Sequence, residues 1–389
     1  MKVVVTGGGT GGHIYPAIAV AQRIMRDHPG SQVLYAGSPK GPEREAARRA
    51  GLEFFAMETG GVLGKSLPGV VRSLVLFTMG FIRALFKLSR YRPQCVVGTG
   101  GYASAPACFA AVVLGIPCVV HEMNYHPRMV TRRLARRAAA VAVAHPATAP
   151  MLPAGAKVVT TGVAVRSEIE ELSDRDCLHR AREQAYAVKG ISRGRKTLLV
   201  LGGSQGARAI NRSVAEAIEV HADREDLQVI HLAGLKCSDD LPVEIRGREG
   251  GLNYCCLPYF EQISLLYAVS DLVVSRAGAG TLAELTAAGL PAVLVPFPYS
   301  VEGHQEENAR RLEEIGAAKM VMQEGDSADG ALEEAFRLLY DDPGLNAMKE
   351  AARSAAAGTG TGGIVSLVEG IVGAGDGPAC RRPGHGGST

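Results

Sequence analysis

DLVVSRAGAGTLAELTAAGLPAVLVPFPYSVEGHQEEN, residues Asp271 to Asn308, decides the reading of this chain. Asp271 to Ser275 is a short apolar run ending in a polar turn, Gly278 and Gly280 loosen the backbone, and a helical pattern, TLAELTAAG, begins at Thr281. A helix start exposes free N–H groups and a partial positive charge, so phosphate is its natural ligand. Glu284, three residues after Thr281, fits either the back half of a capping box or an outward carboxylate that accepts two ribose hydroxyls. Ala292 to Val295 reads as a second strand, and beyond it His304, Gln305 and Asn308 stand at i, i+1 and i+4. Uncharged amides and an imidazole beyond a strand's carboxyl end suit a hydroxyl-rich ligand. The stretch predicts a nucleotide on one side and a sugar on the other.

Working outward, the two halves of the chain begin alike. KVVVTGGGTGGHIYPAIAVAQRI and KTLLVLGGSQGARAINRSVAEAI each read as strand, glycine-rich turn and amphipathic helix. Strands and helices then alternate: VLYAG, CVVGTG, PCVVHE and AVAVAH in the first half, QVIHLAG, NYCCLPY, DLVVSRAG and PAVLVPF in the second. This alternation predicts an α/β protein of two doubly wound parallel-sheet domains, and 389 residues suffice for two. Ligands of such sheets lie beyond the strands' carboxyl ends, so the turns of both domains are expected to face one cleft. The expected boundaries are 1–162, 163–372 and a Gly- and Pro-rich tail, 373–389, read as disordered. The linker falls near Val159 to Val165, Asp174 to Arg195 reads as a charged surface helix and loop, and Phe109 to Val113 as a buried helix.

Apolar residues make up 47% of the chain, enough for well-buried cores. Its eight cysteines form no CxxC pair and read as buried thiols of a reducing cytosol. MKVVVTG opens directly as a strand, with no signal peptide ahead of it. Residues 94–120 carry no charge, but Pro and Gly break them into strand, loop, helix and strand, which argues against a membrane span. Residues 1–165 hold 19 Lys+Arg against 6 Asp+Glu, whereas the remainder holds 23 against 33. That asymmetry directs the first half toward an anionic surface, nucleic acid or acidic lipid.

The first glycine turn, Gly7 to His13, contains GxGxxG, yet VLYAGSPK supplies no acidic residue after the second strand, which argues against a dinucleotide. His13, at a helix start where the dipole opposes protonation, fits a neutral general base or a turn cap. GGVLGKS (60–66) lacks the leading glycine and strand of a phosphate-binding loop. GTGGYASAP (98–106) and HEMN (121–124) follow strands and should open onto the cleft, with Asn124 placed for a sugar amide or hydroxyl. His121 and Glu122 are adjacent in a strand and should face opposite ways; Glu122 fits a role in tying down its loop. GGSQGA (202–207) presents Ser204 and successive N–H groups suited to a pyrophosphate, and Arg166 adds a cation near it. No spacing fits a zinc or carboxylate metal site.

GGTGGH, GTGGYAS, HEMN, GGSQGA, RAGAGTLAEL and HQEENA, in this order over residues 1 to about 370, resemble the MurG family. These bacterial transferases move N-acetylglucosamine from its UDP donor to undecaprenyl-pyrophosphoryl-N-acetylmuramyl-pentapeptide. The resemblance implies the glycosyltransferase type B fold of two Rossmann-like domains, with the acceptor on the first and UDP-sugar mainly on the second. It implies donor contacts at Thr10, Gly11, Gly12, Asn124, Arg166, Ser204, Phe260, Ala279, Gly280, Thr281, Leu282, Ala283, Glu284 and Gln305. Among these, Phe260 is expected against the uracil, Glu284 on the ribose and Gln305 on the sugar; His13 matches the family's proposed general base. No metal or cofactor is implied. The chain departs from the family where Val163-Ala164 replaces Asn-Pro, and where Met123 and Arg128 replace Gln and Gly. Related activities on a diacylglycerol or a small aglycone, and a binding module without catalysis, share the donor motifs; intact His13 and Asn124 argue against the last.

From Gly60 to Pro93 there are six basic residues (Lys65, Arg72, Arg83, Lys87, Arg90, Arg92) and no acidic one, interleaved with Leu74, Leu76, Phe77, Phe81, Ile82, Leu85 and Phe86. Two readings stand: a helix lying in the headgroup layer of the inner leaflet, peripheral to the cytoplasmic face of the membrane, or a helix buried in the core with its charges solvated. No nucleic-acid motif accompanies the charges.

Overall fold

The computed structural model describes residues 1–60, 67–203, 206–234, 251–300, 303–356 and 360–375. Runs such as Val3 to Val5 and Leu198 to Val200 are apolar at every position, the pattern of strands covered on both faces, and all six side chains are inaccessible to solvent. The first half runs β1 (Lys2–Thr6), α1 (Gly11–Asp27), β2 (Gln32–Gly37), α2 (Glu43–Arg49), β3 (Glu53–Ala56), α3 (Leu67–Tyr91), β4 (Cys95–Gly98), α4 (Ala105–Val113), β5 (Cys118–Glu122), α5 (Met129–Leu134), β6 (Ala140–Val143) and β7 (Val158–Thr160). The second runs α6 (Ser167–Glu170), α7 (Arg175–Tyr186), β8 (Lys196–Leu201), α8 (Arg208–Val220), β9 (Leu227–Leu232), β10 (Asn253–Leu257), α9 (Ile263–Val269), β11 (Leu272–Ser275), α10 (Ala279–Ala287), β12 (Ala292–Leu294), α11 (His304–Glu314), β13 (Ala318–Met320), α12 (Asp329–Leu339), α13 (Asp342–Ala356) and α14 (Thr361–Gly375).

Among the described residues the strands form two parallel sheets, ordered β3-β2-β1-β4-β5-β6-β7 and β10-β9-β8-β11-β12-β13. Each has an apolar cluster on both faces. Strand order reverses beside β1 and β8, and at those points crossover helices diverge to opposite faces and open a crevice at the carboxyl ends. Short β3, β7 and β13 carry no clear sequence signal; all three lie outermost in their sheets, where little apolar surface needs covering.

Three local expectations change. Helix α10 begins at Ala279 with Gly278 as N-cap, so Thr281 sits in its first turn and Glu284 in its second. A capping box runs from the N-cap to the third helical residue, and this pair does not form one. In α4, Ala110 and Ala111 are buried, but Val113 is 65% exposed. Finally, α14 returns to the first sheet: Ile364, Val365, Val368 and Val372 pack in one cluster with Val3, Val5 and Ile14. Residues 373–375, expected in a disordered tail, continue this helix, and the remainder of that tail lies outside the described residues. The returning chain is tied to the outgoing one at Thr361, whose hydroxyl accepts from the Val165 N–H (3.0 Å) and lies 2.6 Å from the Val165 carbonyl oxygen.

Candidate active site

The carboxyl ends of both sheets face one cavity of about 880 Å³, lined from the first domain by the loops after β1, β4 and β5 and from the second by those after β10, β11 and β12. A volume in this range suits a ligand of drug or cofactor size. Both glycine turns contribute to it, through Gly8 to Gly12 of the first and Gly203 of the second.

His13 is bound to Thr99 through both its ring and its backbone carbonyl. Thr10 is the N-cap of α1 and makes no side-chain capping bond, so the Gly11 and Gly12 N–H groups have no intrahelical partner. One turn in, His13 Nδ1 lies 3.0 Å from the Thr99 carbonyl oxygen, while Thr99 Oγ1 donates to the His13 carbonyl oxygen at 2.6 Å. A carbonyl only accepts, so Nδ1 carries the proton and the neutral ring keeps its lone pair on Nε2. Gly100 and Gly101, with φ of +96° and +74°, let the β4 loop press on the ring; a Cβ on Gly100 would lie 2.9 Å from Nδ1. Burial above all, then the nearby Arg128 and His304, bring the imidazole down to about 4. At neutral pH it is an uncharged proton acceptor.

Across the cavity, Ala279, Gly280 and Thr281 line the wall at the start of α10, again without a side-chain cap. A Cβ on Gly280 would stand 3.3 Å from Gly12 Cα, so the two helix starts abut. Leu282 and Ala283, expected at the donor, instead face the second domain's core; every third or fourth position of a helix faces one way. Glu284 does reach the cavity, paired through Oε1 with Arg166 Nη2 at 2.9 Å. Its Oε2 accepts from Tyr267 at 3.1 Å. The Arg166 guanidinium lies 4.4 Å from the centre of the Tyr15 ring, whose hydroxyl meets that of Tyr259 at 2.8 Å. Phe260 also lines the wall; Ser204 lies outside the described residues.

On the first domain, Glu122 accepts from four donors: Asn124 N (3.1 Å) and Nδ2 (3.1 Å), Arg128 N (2.8 Å) and Thr131 Oγ1 (2.7 Å). It is the anchor of its loop, and it turns the Asn124 amide so that Oδ1 is the group left for a ligand. His121 is bound instead at Gly162 O (2.9 Å), so the two neighbours do not act as a pair. Opposite, His304 and Gln305 line the cavity. Gln305 Oε1 accepts from Phe297 N at 3.0 Å, which leaves its amide nitrogen to offer. Asn308 is not in the wall; its Nδ2 holds the Ala277 carbonyl at 3.3 Å. Among the described residues no three His, Cys, Asp or Glu side chains gather as a metal site.

Comparison with known proteins gives this architecture its place. Residues 3–143 match the glycosyltransferase family 28 N-terminal domain, and residues 197–359 the C-terminal domain. A protein of Desulforudis audaxviator (strain MP104C), described as UDP-N-acetylglucosamine--N-acetylmuramyl-(pentapeptide) pyrophosphoryl-undecaprenol N-acetylglucosamine transferase, is 36% identical over 96% of this chain and 100% of its own length. One of Moorella thermoacetica with the same description is 37% identical over 91% and 94%. The chain belongs to the MurG family. The crystal structure of Acinetobacter baumannii MurG superposes with a TM-score of 0.65 at 27% identity, over 95% of this chain and 99% of that one. The Streptomyces sp. SF2575 glycosyltransferase SsfS6 complexed with thymidine diphosphate shares the fold, at a TM-score of 0.60 and 19% identity over 95% and 99%.

In this MurG-family chain Thr10, Gly11, Gly12, His13, Asn124, Arg166, Phe260, Ala279, Gly280, Thr281, Glu284 and Gln305 line one cavity, but the groups that support them carry little sequence signal. Thr99 stands inside a quoted motif, yet its grip on His13 joins residues 86 apart. Tyr15, Tyr259 and Tyr267 carry no local signal at all, because aromatic residues at such spacing read equally as core.

Proposed function

We propose that this chain transfers N-acetylglucosamine from UDP-N-acetylglucosamine to the 4-hydroxyl of undecaprenyl-pyrophosphoryl-N-acetylmuramyl-pentapeptide with inversion. The observation that carries this reading is His13: a neutral imidazole, fixed in one tautomer, in the wall of a cavity that both domains line. Its Nε2 takes the hydroxyl proton as the acceptor oxygen bonds to the anomeric carbon and the bond to the donor's β-phosphate breaks, so that UDP leaves with the electron pair. N–H groups at the start of α10, aimed at the phosphates, stabilise the charge that develops there. Phe260 lies against the uracil, Glu284 with its remaining lone pairs accepts the ribose hydroxyls, and Arg166 keeps that carboxylate charged and in place. Gln305 and Asn124 read the sugar, and Thr10, Gly11 and Gly12 close on it from the first domain. The test is incubation of the purified protein with labelled UDP-N-acetylglucosamine and a lipid-linked muramyl pentapeptide analogue, looking for label in the lipid.

We also infer that the protein works on the cytoplasmic face of the membrane, docked through α3. This helix packs on α4 through Phe77, Phe81, Ala84, Leu85 and Leu88, and that face leaves a second apolar stripe uncovered. Leu74, Ile82 and Phe86 are 61%, 59% and 66% exposed, which supports headgroup-layer docking over burial in the core. Over 18 residues its mean hydropathy reaches 1.6, enough by length and composition to span. The face packed on α4 and the intervening Arg83, held by Glu58, favour lying on the surface. Lys87 is also engaged, 3.9 Å from Glu53, Lys65 lies outside the described residues and Arg92 lies beyond the end of α3, so Arg72 and Arg90 are the charges of the helix to change. Each contributes about 1 kcal/mol at an anionic leaflet. Arg72→Gln with Arg90→Gln is expected to weaken co-sedimentation with phosphatidylglycerol vesicles by roughly thirtyfold, with little change on neutral vesicles. Equal loss on both would remove the electrostatic part.

A further inference from the structure

Arg166 and Glu284 meet edge to edge. Arg166 Nε (3.3 Å) and Nη2 (2.9 Å) both donate to Glu284 Oε1, and Tyr267 donates to Oε2 at 3.1 Å. A carboxylate accepts at about four lone-pair sites, so these three donors leave capacity for a ligand, and where it points depends on how the guanidinium stands. A planar fork gripped at one edge can still swing about that edge. What stops it here is a ring: the Arg166 guanidinium lies over the face of Tyr15, 4.4 Å from its centre, at a place where Arg166 is only 9% exposed. A cation over an aromatic face is attracted to it, the more so where water is excluded, and a guanidinium also stacks by its plane.

The ring is itself fixed at both ends. Tyr15 belongs to the second turn of α1, and a helical side chain leans back toward the helix start. A Cβ on Gly11, four residues earlier, would come within 3.3 Å of Tyr15 Cε2, so the bare glycine is what lets the ring lie there. At the far end the Tyr15 hydroxyl meets that of Tyr259 at 2.8 Å. The same helix carries His13, so one rigid element of the first domain bears both the base and the ring that steadies the Arg166–Glu284 pair.

We propose that Tyr15 is a positioning residue for the donor: by holding Arg166 it aims Glu284, and so sets the preference of the site for ribose over 2′-deoxyribose. This rests on the reading of Glu284 as the acceptor of the ribose hydroxyls. Selectivity for a group held by the second domain then depends on a side chain of the first.

Calorimetric titration of the full chain with UDP and with 2′-deoxy-UDP tests this in the parent, Tyr15→Leu and Tyr15→Phe. The parent should bind UDP more tightly by about tenfold or more, since a hydrogen bond to a charged acceptor goes with the 2′-hydroxyl. Tyr15→Leu removes the ring face: UDP should weaken by roughly threefold to thirtyfold and 2′-deoxy-UDP by less, so that the ratio of the two narrows by about threefold or more. Tyr15→Phe keeps the face and loses only the hydroxyl, and should hold the ratio within about twofold of the parent. Tyr15→Met, which also fills the space without a ring, takes the place of the leucine variant should that one not fold. A ring that served only to pack the domains together would weaken both nucleotides alike. An unchanged ratio in Tyr15→Leu, whatever the two affinities do, overturns the proposal, as does a Tyr15→Phe protein that behaves like Tyr15→Leu. A parent that binds the two nucleotides equally removes the ribose reading of Glu284, and this proposal with it.

Discussion

His13→Ala should bind UDP as the parent does and lose two to four orders of magnitude in turnover, the usual worth of a positioned general base, about 10²–10⁴. The size follows from what the residue does. Its Nδ1 proton is committed to Thr99 O, so the substitution removes one lone pair, on Nε2, and leaves the α10 start and the Arg166–Glu284 pair untouched. The pH dependence has a definite sign. A base works only unprotonated, and the imidazole is held near 4, below its ordinary 6.5, first by burial. Protonation therefore sets in as pH falls toward 4, not at 6.5. On the His13 limb, kcat/KM should stay flat from neutral pH down to about 5 and decline tenfold per unit below about 4. A limb centred at 6.5, or unchanged turnover in His13→Ala, would remove His13 as the base.

Glu284→Ala should raise the dissociation constants of UDP and UDP-N-acetylglucosamine together, by roughly a hundredfold, since hydrogen bonds to a charged acceptor are worth about 1.5–3 kcal/mol each. The same substitution strands Arg166. Both side chains are nearly buried, 16% and 10% exposed, and breaking such a pair from one side costs about 3–5 kcal/mol, so the variant should also unfold at lower denaturant. Glu284→Gln separates the two effects, since it keeps an oxygen for Tyr267 and the ribose but loses the charge. Gln305→Ala supplies the contrast: if its amide nitrogen serves the sugar as proposed, UDP should bind as before and the sugar nucleotide about tenfold more weakly. Calorimetry of both ligands on both variants measures this, and equal weakening of UDP by Gln305→Ala would refute the division of labour.

The sequence carries the frame of this site because its signals are local. Continuous valine runs mark strands buried on both faces, glycines at φ above zero mark the turns, and the repeated strand–glycine–helix unit marks two domains. What escapes is everything set by distant partners. Arg166 and Glu284 were both named, one for phosphate and one for ribose, but they are 118 residues apart and the bond between them has no sequence signature. The helix start at Gly278 was placed at Thr281 because three small residues give no periodicity to read. Leu282 and Ala283 follow Thr281 directly in the motif, but helical phase sets them against the second domain's core. The helix α14 reads as part of the second domain by order along the chain, and only its packing on Val3 and Ile14 shows where its apolar face goes. For α3 the pattern leaves both the headgroup layer and the core open; α4, seated on one side, and the exposed Leu74, Ile82 and Phe86 show that the helix has one packed and one uncovered side.

If His13 and the two helix starts around it form a transferase site for a UDP-linked sugar and a lipid-linked acceptor, sugar must pass from the first to the second within one binding event. The most direct measurement is single-turnover transfer: parent and His13→Ala protein, each preloaded with UDP-N-acetylglucosamine labelled in the sugar, mixed with the lipid-linked muramyl pentapeptide analogue or with diacylglycerol. Label should appear on the muramyl lipid with the parent, at a rate reduced at least a hundredfold by His13→Ala, and none on diacylglycerol. Label on diacylglycerol alone, or donor bound by the parent with no transfer to either lipid, would contradict it.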